Sequence, residues 1–348
     1  MEPSILTEDQ KDRAAGVLLG LAVGDALGVP YEFAAPMDED SSPEMKGGGL
    51  GPYKPGEYSD DTQMAVCIAN VAATGVDLRR AEALDAIAAN FLRWPTTGAS
   101  DMGNLTRAVL GRAPQLSGSP AEQCRGAARE HYERTGSAFG NGALMRTAPV
   151  ALFALVGRAG DGRAATAEAA REIALLTHAD PRAGDACVLW CEAIRLAVLE
   201  GRLDLAAGLD LIPEARDAAG DGEQPDDPRA WWADIVDEAS HTDWRMYVGR
   251  TNGSTSNSLR VAWSAIVSTD GSDHFRRALD AVVHIGHDTD TTAAIAGSLL
   301  GARYGAAAVP AEWRSQVNGW PGPDGGRPYR DDDLMRLGLL TVLGGRGA

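Results

Sequence analysis

Two stripes of glycine constrain this chain more than any other feature. Gly16, Gly20, Gly24 and Gly28 recur at a strict four-residue interval near the N-terminus, and Gly297, Gly301 and Gly305 repeat that interval far along the chain. A glycine inside a helix costs about 1 kcal/mol against alanine, so a stripe of them needs a compensating gain. Close backbone approach between packed helices supplies one, as in small-xxx-small packing. The surroundings agree with helix: alanine-rich segments with apolar residues at three- and four-residue spacing run over 79–93, 164–177, 184–200, 257–268, 275–285 and 291–305. Breaks fall at Pro36–Glu57, Gly111–Pro120, Asp217–Arg229 and Pro321–Asp333, which are rich in glycine, proline or acids. No run of alternating β-branched residues separates them, so the expected fold is all-α.

Charge narrows the function classes. The 348 residues carry a formal charge of -17, a field that repels polyphosphates and anionic lipid and argues against generic nucleic-acid or membrane-surface binding. The apolar stretch Ala14–Gly24 is shorter than the roughly 20 residues of a membrane span and runs into Asp25. It follows Glu8, Asp9, Lys11, Asp12 and Arg13 rather than the basic flank of a signal peptide, and reads as a core helix of a cytoplasmic protein. Cys67 and Cys124 stand alone, and Cys187 and Cys191 lie one helical turn apart, which is neither a redox nor a zinc spacing. All four are expected to be small buried hydrophobes.

Two acidic clusters carry the chemistry. Ser59-Asp60-Asp61-Thr62 precedes a helical run, and His287-Asp288-Thr289-Asp290-Thr291-Thr292 precedes another. A hydroxyl followed by acids satisfies a helix N-terminus, where side-chain oxygens cap free N–H groups and carboxylates face the positive dipole end. Two such clusters converging on one cleft would instead need cations, since each like-charge pair at 4 Å costs about 4 kcal/mol at an effective dielectric of 20. Oxygen-only ligands select hard ions such as Mg²⁺, Mn²⁺ or Ca²⁺, and adjacent acids suit a pair of ions. Residue types alone leave capping and metal binding both open.

Together with motifs elsewhere, these clusters resemble the ADP-ribosylglycohydrolase family, also known as the dinitrogenase-reductase-activating glycohydrolase or ARH-like family. The matching residues, in order, are Gly20–Gly28 with Glu32, Ser59–Thr62, Asp101-Met102-Gly103-Asn104, Gly140–Arg146, Thr177-His178 and Asp288–Thr291. The resemblance implies a compact all-α bundle forming one domain over residues 1–348, despite a length that by itself suggests two. It implies that Ser59, Asp60, Asp61, Asp288, Asp290 and Thr291 hold two Mg²⁺ or Mn²⁺ ions, with serine at 59 in place of the commoner threonine. Glu32 then matches an acid beside the metals and Asp101 one near the substrate ribose, the two catalytic candidates. Asn141, Gly142 and Arg146 match the loop on the diphosphate and ribose side, and His178 matches a histidine near the substrate. Asp25 is given a structural hydrogen-bonding task.

The activity so implied is metal-dependent hydrolysis of the bond between ADP-ribose and a modified protein side chain, of arginine or serine type. An ADP-ribosylated protein or ADP-ribose conjugate is the expected partner, and the chain is taken as a monomer. Metals would serve as counter-charges for the diphosphate, reconciling an acidic protein with an anionic ligand. Alternatives are a hydrolase of a small ADP-ribosyl metabolite or of ADP-ribosylated nucleic acid, and a catalytically quiet ADP-ribose binder. His287 is set aside as a ligand because an oxygen-rich site has no need of nitrogen, and Trp231-Trp232 is read as core packing rather than an adenine platform. The departure from the family lies at Thr251–Leu259, where a more apolar cleft wall is replaced by small polar residues, so this segment is expected to bear on substrate choice.

Overall fold

The computed structural model describes residues 6–35, 37–38, 40–156, 162–216 and 224–346. Its helices are α1 (Glu8–Gly28), α2 (Asp60–Ala72), α3 (Ala81–Thr97), α4 (Asn104–Arg112), α5 (Pro120–Thr135), α6 (Gly162–Ala174) and α7 (Pro181–Glu200). They continue as α8 (Pro228–His241), α9 (Thr255–Val267), α10 (His274–Ile285), α11 (Thr289–Tyr304), α12 (Ala311–Gln316) and α13 (Asp331–Leu343). The only strands among the described residues, β1 (Asn318–Gly319) and β2 (Tyr329–Arg330), form one short antiparallel pair. The all-α expectation holds. The expected break at 321–333 ends early, because Asp331, Asp332 and Asp333 are the first turn of α13, where acids face the positive end of the helix dipole. The break at 217–229 lies partly outside the described residues, and α8 begins at Pro228 within it.

The two glycine stripes face each other. A Cβ built on Gly16 would lie 2.4 Å from the Gly301 carbonyl oxygen, one on Gly20 would lie 2.2 Å from that of Gly297, and one on Gly24 would lie 2.0 Å from that of Ala293. Ascending numbers on α1 meet descending numbers on α11, so the helices are antiparallel and in backbone contact along their length. Nothing but glycine fits there, which is the gain that offsets the propensity cost.

This pair is the axis of the protein. Every residue from Ala14 to Gly28 is buried, as is nearly all of α11, so neither helix has a polar face. By length and composition α1 with its following turn could cross a membrane, yet 94% of that window is buried inside the protein. The four cysteines are buried and unpaired, as expected. Trp232 is fully buried and stacks edge-on against Trp231 at 4.8 Å, consistent with core packing.

Antiparallel pairing has one consequence for chemistry. It brings the first turn of α11 beside the last turn of α1, where Gly28 packs on the Asp290 backbone and Thr289 Oγ1 donates to the Gly28 carbonyl at 2.8 Å. Asp25, one turn earlier on α1, then reaches the start of α2.

Candidate active site

Asp25 organises the first cluster. Its Oδ1 accepts from the Ser59 amide (2.8 Å) and hydroxyl (2.7 Å), and its Oδ2 accepts from the Thr62 amide (3.0 Å) and hydroxyl (2.6 Å). A carboxylate from α1 therefore caps α2, and Ser59, although at the N-cap position, makes no side-chain cap. Asp60 and Asp61 form the first turn of that helix, with its leading amides already served by Asp25.

Ser59 Oγ also lies 3.0 Å from Asp61 Oδ2 and 3.4 Å from Asp290 Oδ2. A hydroxyl has one proton, and the shortest contact gives it to Asp25. Its lone pairs then converge with those of two buried carboxylates, and Asp61 Oδ1 is buried with no hydrogen-bond partner among the described residues. Oxygen atoms from Asp25, Asp61 and Asp290 lie within 4.8 Å of one another, and so do oxygens from Glu32, Asp288 and Asp290. Asp290 belongs to both groups. Such convergence without a donor is what a hard cation stabilises, and the donor set contains no sulfur or nitrogen. His287 Nε2 bonds the Gly249 carbonyl at 2.8 Å.

The second cluster is held from outside its own helix. Asp288 also forms no side-chain cap. Its amide donates to Asn252 Oδ1 (3.0 Å), and its Oδ2 accepts from Asn141 Nδ2 (2.7 Å), which also donates to Ser258 Oγ (2.9 Å). Asn252 Nδ2 donates to the Gly286 carbonyl, and Thr255 Oγ1 to that of Gly140. The polar segment at 251–259 is thus a set of struts. Asn252, Thr255 and Ser258 are buried, and Gly253 alone of this stretch lines the cleft, so its small polar residues set the position of Asp288 rather than the shape of the pocket.

A cleft of about 430 Å³ opens over both clusters. Of the candidates read from sequence, Glu32, Asp60, Asp101, Asn141, Gly142, His178, Asp288, Asp290 and Thr291 line it. Ser59 and Asp61 lie beneath, against Asp290. Arg146 does not reach it: expected on the diphosphate side, it is 1% exposed, with its guanidinium 4.5 Å from the Phe91 ring centroid and donating to Thr177 Oγ1 (2.6 Å). Gly140–Ala143 turns Asn141 and Gly142 toward the cleft, and the chain then carries Arg146 to the other side. Asp101 Oδ1 accepts from the Met102 amide at 2.7 Å, leaving Oδ2 without a hydrogen bond among the described residues.

Phe33, on the cleft lining, and the buried Tyr53 escape the sequence reading. Phe33 is 59% exposed in the left-handed region at φ 49°, and its amide bonds the carbonyl of His287, itself at φ 60°. Two strained residues therefore tie the Glu32 loop to the Asp288 loop, a cost of about 1–3 kcal/mol each that packing must overdetermine. Tyr53 is buried with an unpartnered hydroxyl, its pKa raised by burial and by the charge of Asp60. No periodicity marks either residue.

Burial and mutual repulsion raise the acids. Burial pushes Asp25 to about 6 against its hydrogen bonds to Thr62 and Ser59. Burial and the charge of Asp288 push Glu32 to about 8, burial and the charge of Asp25 do the same to Asp60, and Asp61 and Asp290 also stand well above the usual range. An acid with a raised folded-state pKa holds its proton in the folded chain after the unfolded chain has lost it, so stability falls as pH rises between the two values. The metal-free protein is therefore expected to lose stability from about pH 4 up to about 8, with the loss complete above the raised values. Thermal unfolding in chelator at pH 6 and pH 8.5 checks this. A higher midpoint at pH 8.5 would contradict it, whereas divalent cation should remove most of the pH dependence.

Residues 6–343 match the family model described as ADP-ribosylglycohydrolase. Among curated proteins, the chain is 29% identical over 318 residues to the ADP-ribosylarginine hydrolase Tri1 of Pseudomonas putida (strain GB-1), covering 90% of this chain and 76% of that one. It is 28% identical to the ADP-ribosyl-[dinitrogen reductase] glycohydrolase of Rhodospirillum rubrum, covering 88% and 90%. A solved structure, described as an ADP-ribosylglycohydrolase-related protein complex, superposes with a TM-score of 0.68 at 26% identity, covering 97% of this chain and all of that one.

Proposed function

The chain belongs to the ADP-ribosylglycohydrolase family, whose members hydrolyse glycosidic ADP-ribose linkages, and on that premise we propose that it releases ADP-ribose from a modified arginine side chain of a protein, using two Mg²⁺ or Mn²⁺ ions. The observation that carries the metal dependence is the pair of carboxylate groups that share Asp290 at the floor of the cleft, with an orphaned oxygen on Asp61. Ser59, Asp60, Asp61, Asp288, Asp290 and Thr291 would hold the ions. When bound, the ions supply Lewis acidity and the counter-charge that an acidic cleft needs to accept a diphosphate.

The chain's own residues supply the rest. Asn141 and the backbone at Gly142 form one wall, and Thr291 the start of α11, leaving room for a sugar over the acids. Glu32 and Asp101 stand at the mouth, and both can exchange protons with water and leaving group around an oxocarbenium-like transition state. In the metal-free cleft burial, and then the charge of Asp288, raise Glu32 to about 8, and bound cations would offset that shift. The same acidic mouth favours a cationic leaving group, which supports arginine over serine linkage. The two Tri1 relatives, ADP-ribosylarginine hydrolases by name, lean the same way.

The test is release of ADP-ribose from arginine-linked and serine-linked conjugates with Mg²⁺ or Mn²⁺. Faster metal-dependent release from the arginine conjugate is expected. Faster release from the serine conjugate would overturn the linkage, release of AMP or phosphate would make the protein a phosphohydrolase, and binding without turnover would make it a quiet binder.

A further inference from the structure

Arg146 is a charged group in the core that the proposed chemistry does not use. It is buried, its Nε has no partner, and no carboxylate lies within hydrogen-bonding distance of it among the described residues. Its guanidinium donates to Thr177 Oγ1 at 2.6 Å and to Met64 Sδ at 3.5 Å and stacks on Phe91. Thr177 is fully buried, and among the described residues its hydroxyl has one other contact, His178 Nδ1 at 2.7 Å.

Proton counting then fixes the histidine. Arginine can only donate, so Thr177 Oγ1 accepts from Arg146, and the Thr177 proton has one acceptor within reach, His178 Nδ1. An Nδ1 that accepts carries no hydrogen, so the ring proton of the neutral imidazole sits on Nε2. The Nε2 edge packs beside the turn at Gly140 and Gly142, where a Cβ on Gly142 would lie 3.3 Å from it, and the ring lines the cleft. No protein acceptor for Nε2 is found among the described residues.

We propose that the Arg146–Thr177 relay locks His178, which the family resemblance already sets near the substrate, as a neutral Nε2–H donor toward an acceptor oxygen of ADP-ribose, and that Arg146 is a positioning residue. The relay itself stands on geometry, and the identity of the acceptor rests on the proposed function. Burial and the Arg146 charge lower the His178 pKa well below the usual value, in keeping with a ring that stays neutral. An acidic cleft would otherwise favour the doubly protonated ring. The buried cation behind Thr177 offsets that pull, which gives Arg146 a reason to lie in the core. Gly142 is small for the same arrangement, since a side chain there would press on the ring edge.

The experiment uses the full chain with ¹⁵N-labelled histidine. Long-range ¹H–¹⁵N correlation near neutral pH reports the His178 tautomer, with the signal assigned by its loss in His178→Gln. The expected result is an Nε2–H tautomer in the wild type and in Thr177→Ser, and a mixed or reversed tautomer in Thr177→Val, which removes the hydroxyl at nearly constant shape. An Nδ1–H or doubly protonated ring in the wild type would overturn the relay, as would a Thr177→Val spectrum identical to wild type. Should Thr177→Val fail to fold, an Nδ1–H or doubly protonated wild-type ring still overturns the relay. ADP-ribose titration is the second arm: His178→Ala and Thr177→Val are expected to weaken binding about tenfold, the scale of one hydrogen bond. Unchanged affinity in both would remove the donor from the ligand. A wild type that binds no ADP-ribose would overturn the functional reading while leaving the tautomer result intact.

Discussion

Asp290→Asn is expected to cut metal-dependent turnover by about 10³-fold or more while making the metal-free protein more stable at alkaline pH. The two signs follow from one fact. Asp290 contributes to both carboxylate groups, so its neutralisation removes a ligand from each possible ion position rather than from one. In the metal-free state the same charge is a liability: burial raises its pKa, and the charges of Glu32, Asp61, Asp288 and Asp25 raise it further. Asparagine keeps the shape and removes the repulsion, so the chelated variant should unfold at a higher temperature than the chelated wild type near pH 8. Added Mg²⁺ or Mn²⁺ should reverse the order. A ligand at 100 times its dissociation constant stabilises by about 2.7 kcal/mol, and the variant should forfeit most of that. Turnover within tenfold of wild type, or an undiminished metal-induced rise in melting temperature, would mean that Asp290 is a structural acid and the ions sit elsewhere.

The same residues show how far the sequence could be read. Ser59-Asp60-Asp61 and Asp288–Thr291 were visible as motifs, but their order along the chain suits a cap as well as a ligand set. What separates the two is Asp25, which caps α2 from another helix and frees the local acids, and only the packing of α1 reveals that. Arg146 shows the opposite case. It sits in one motif with Asn141 and Gly142, yet a turn at 141–143 faces those two into the cleft and sends the arginine into the core. Motif membership gives proximity in sequence, not direction. The polar segment at 251–259 looked like a pocket wall because its residues differ from the apolar stretch expected there, whereas their hydrogen bonds run inward to Gly140 and to Gly286–Asp288. Phe33 and Tyr53 carried no signal, since a left-handed backbone and an orphaned hydroxyl are properties of the fold.

The glycine stripe gives the other large effect, and it opposes local propensity. Gly301→Ala should favour helix by about 1 kcal/mol on propensity alone. The added Cβ, however, would lie 1.9 Å from the Gly16 carbonyl oxygen and 2.7 Å from its carbonyl carbon. Both atoms are backbone, so no rotamer change relieves the clash and α1 and α11 must separate. Overpacking a core costs about 1–3 kcal/mol where side chains can yield, and more is expected where they cannot. A melting-temperature drop of about 5 °C is the expected outcome. Gly111→Ala is the control: it also lies inside a helix, but its Cβ would meet nothing within 4 Å, so it should gain stability by a few tenths of a kcal/mol up to about 1. Separation has a second consequence, because the α1–α11 contact is what holds Asp290 against Gly28 and near Asp25. Folded Gly301→Ala should bind Mn²⁺ more weakly than wild type, although the substitution lies about three helical turns from the acids. If it melts like wild type, or if its metal affinity is unchanged while its stability falls, the glycine stripe and the carboxylate site are independent, and the antiparallel pair is not what positions the chemistry.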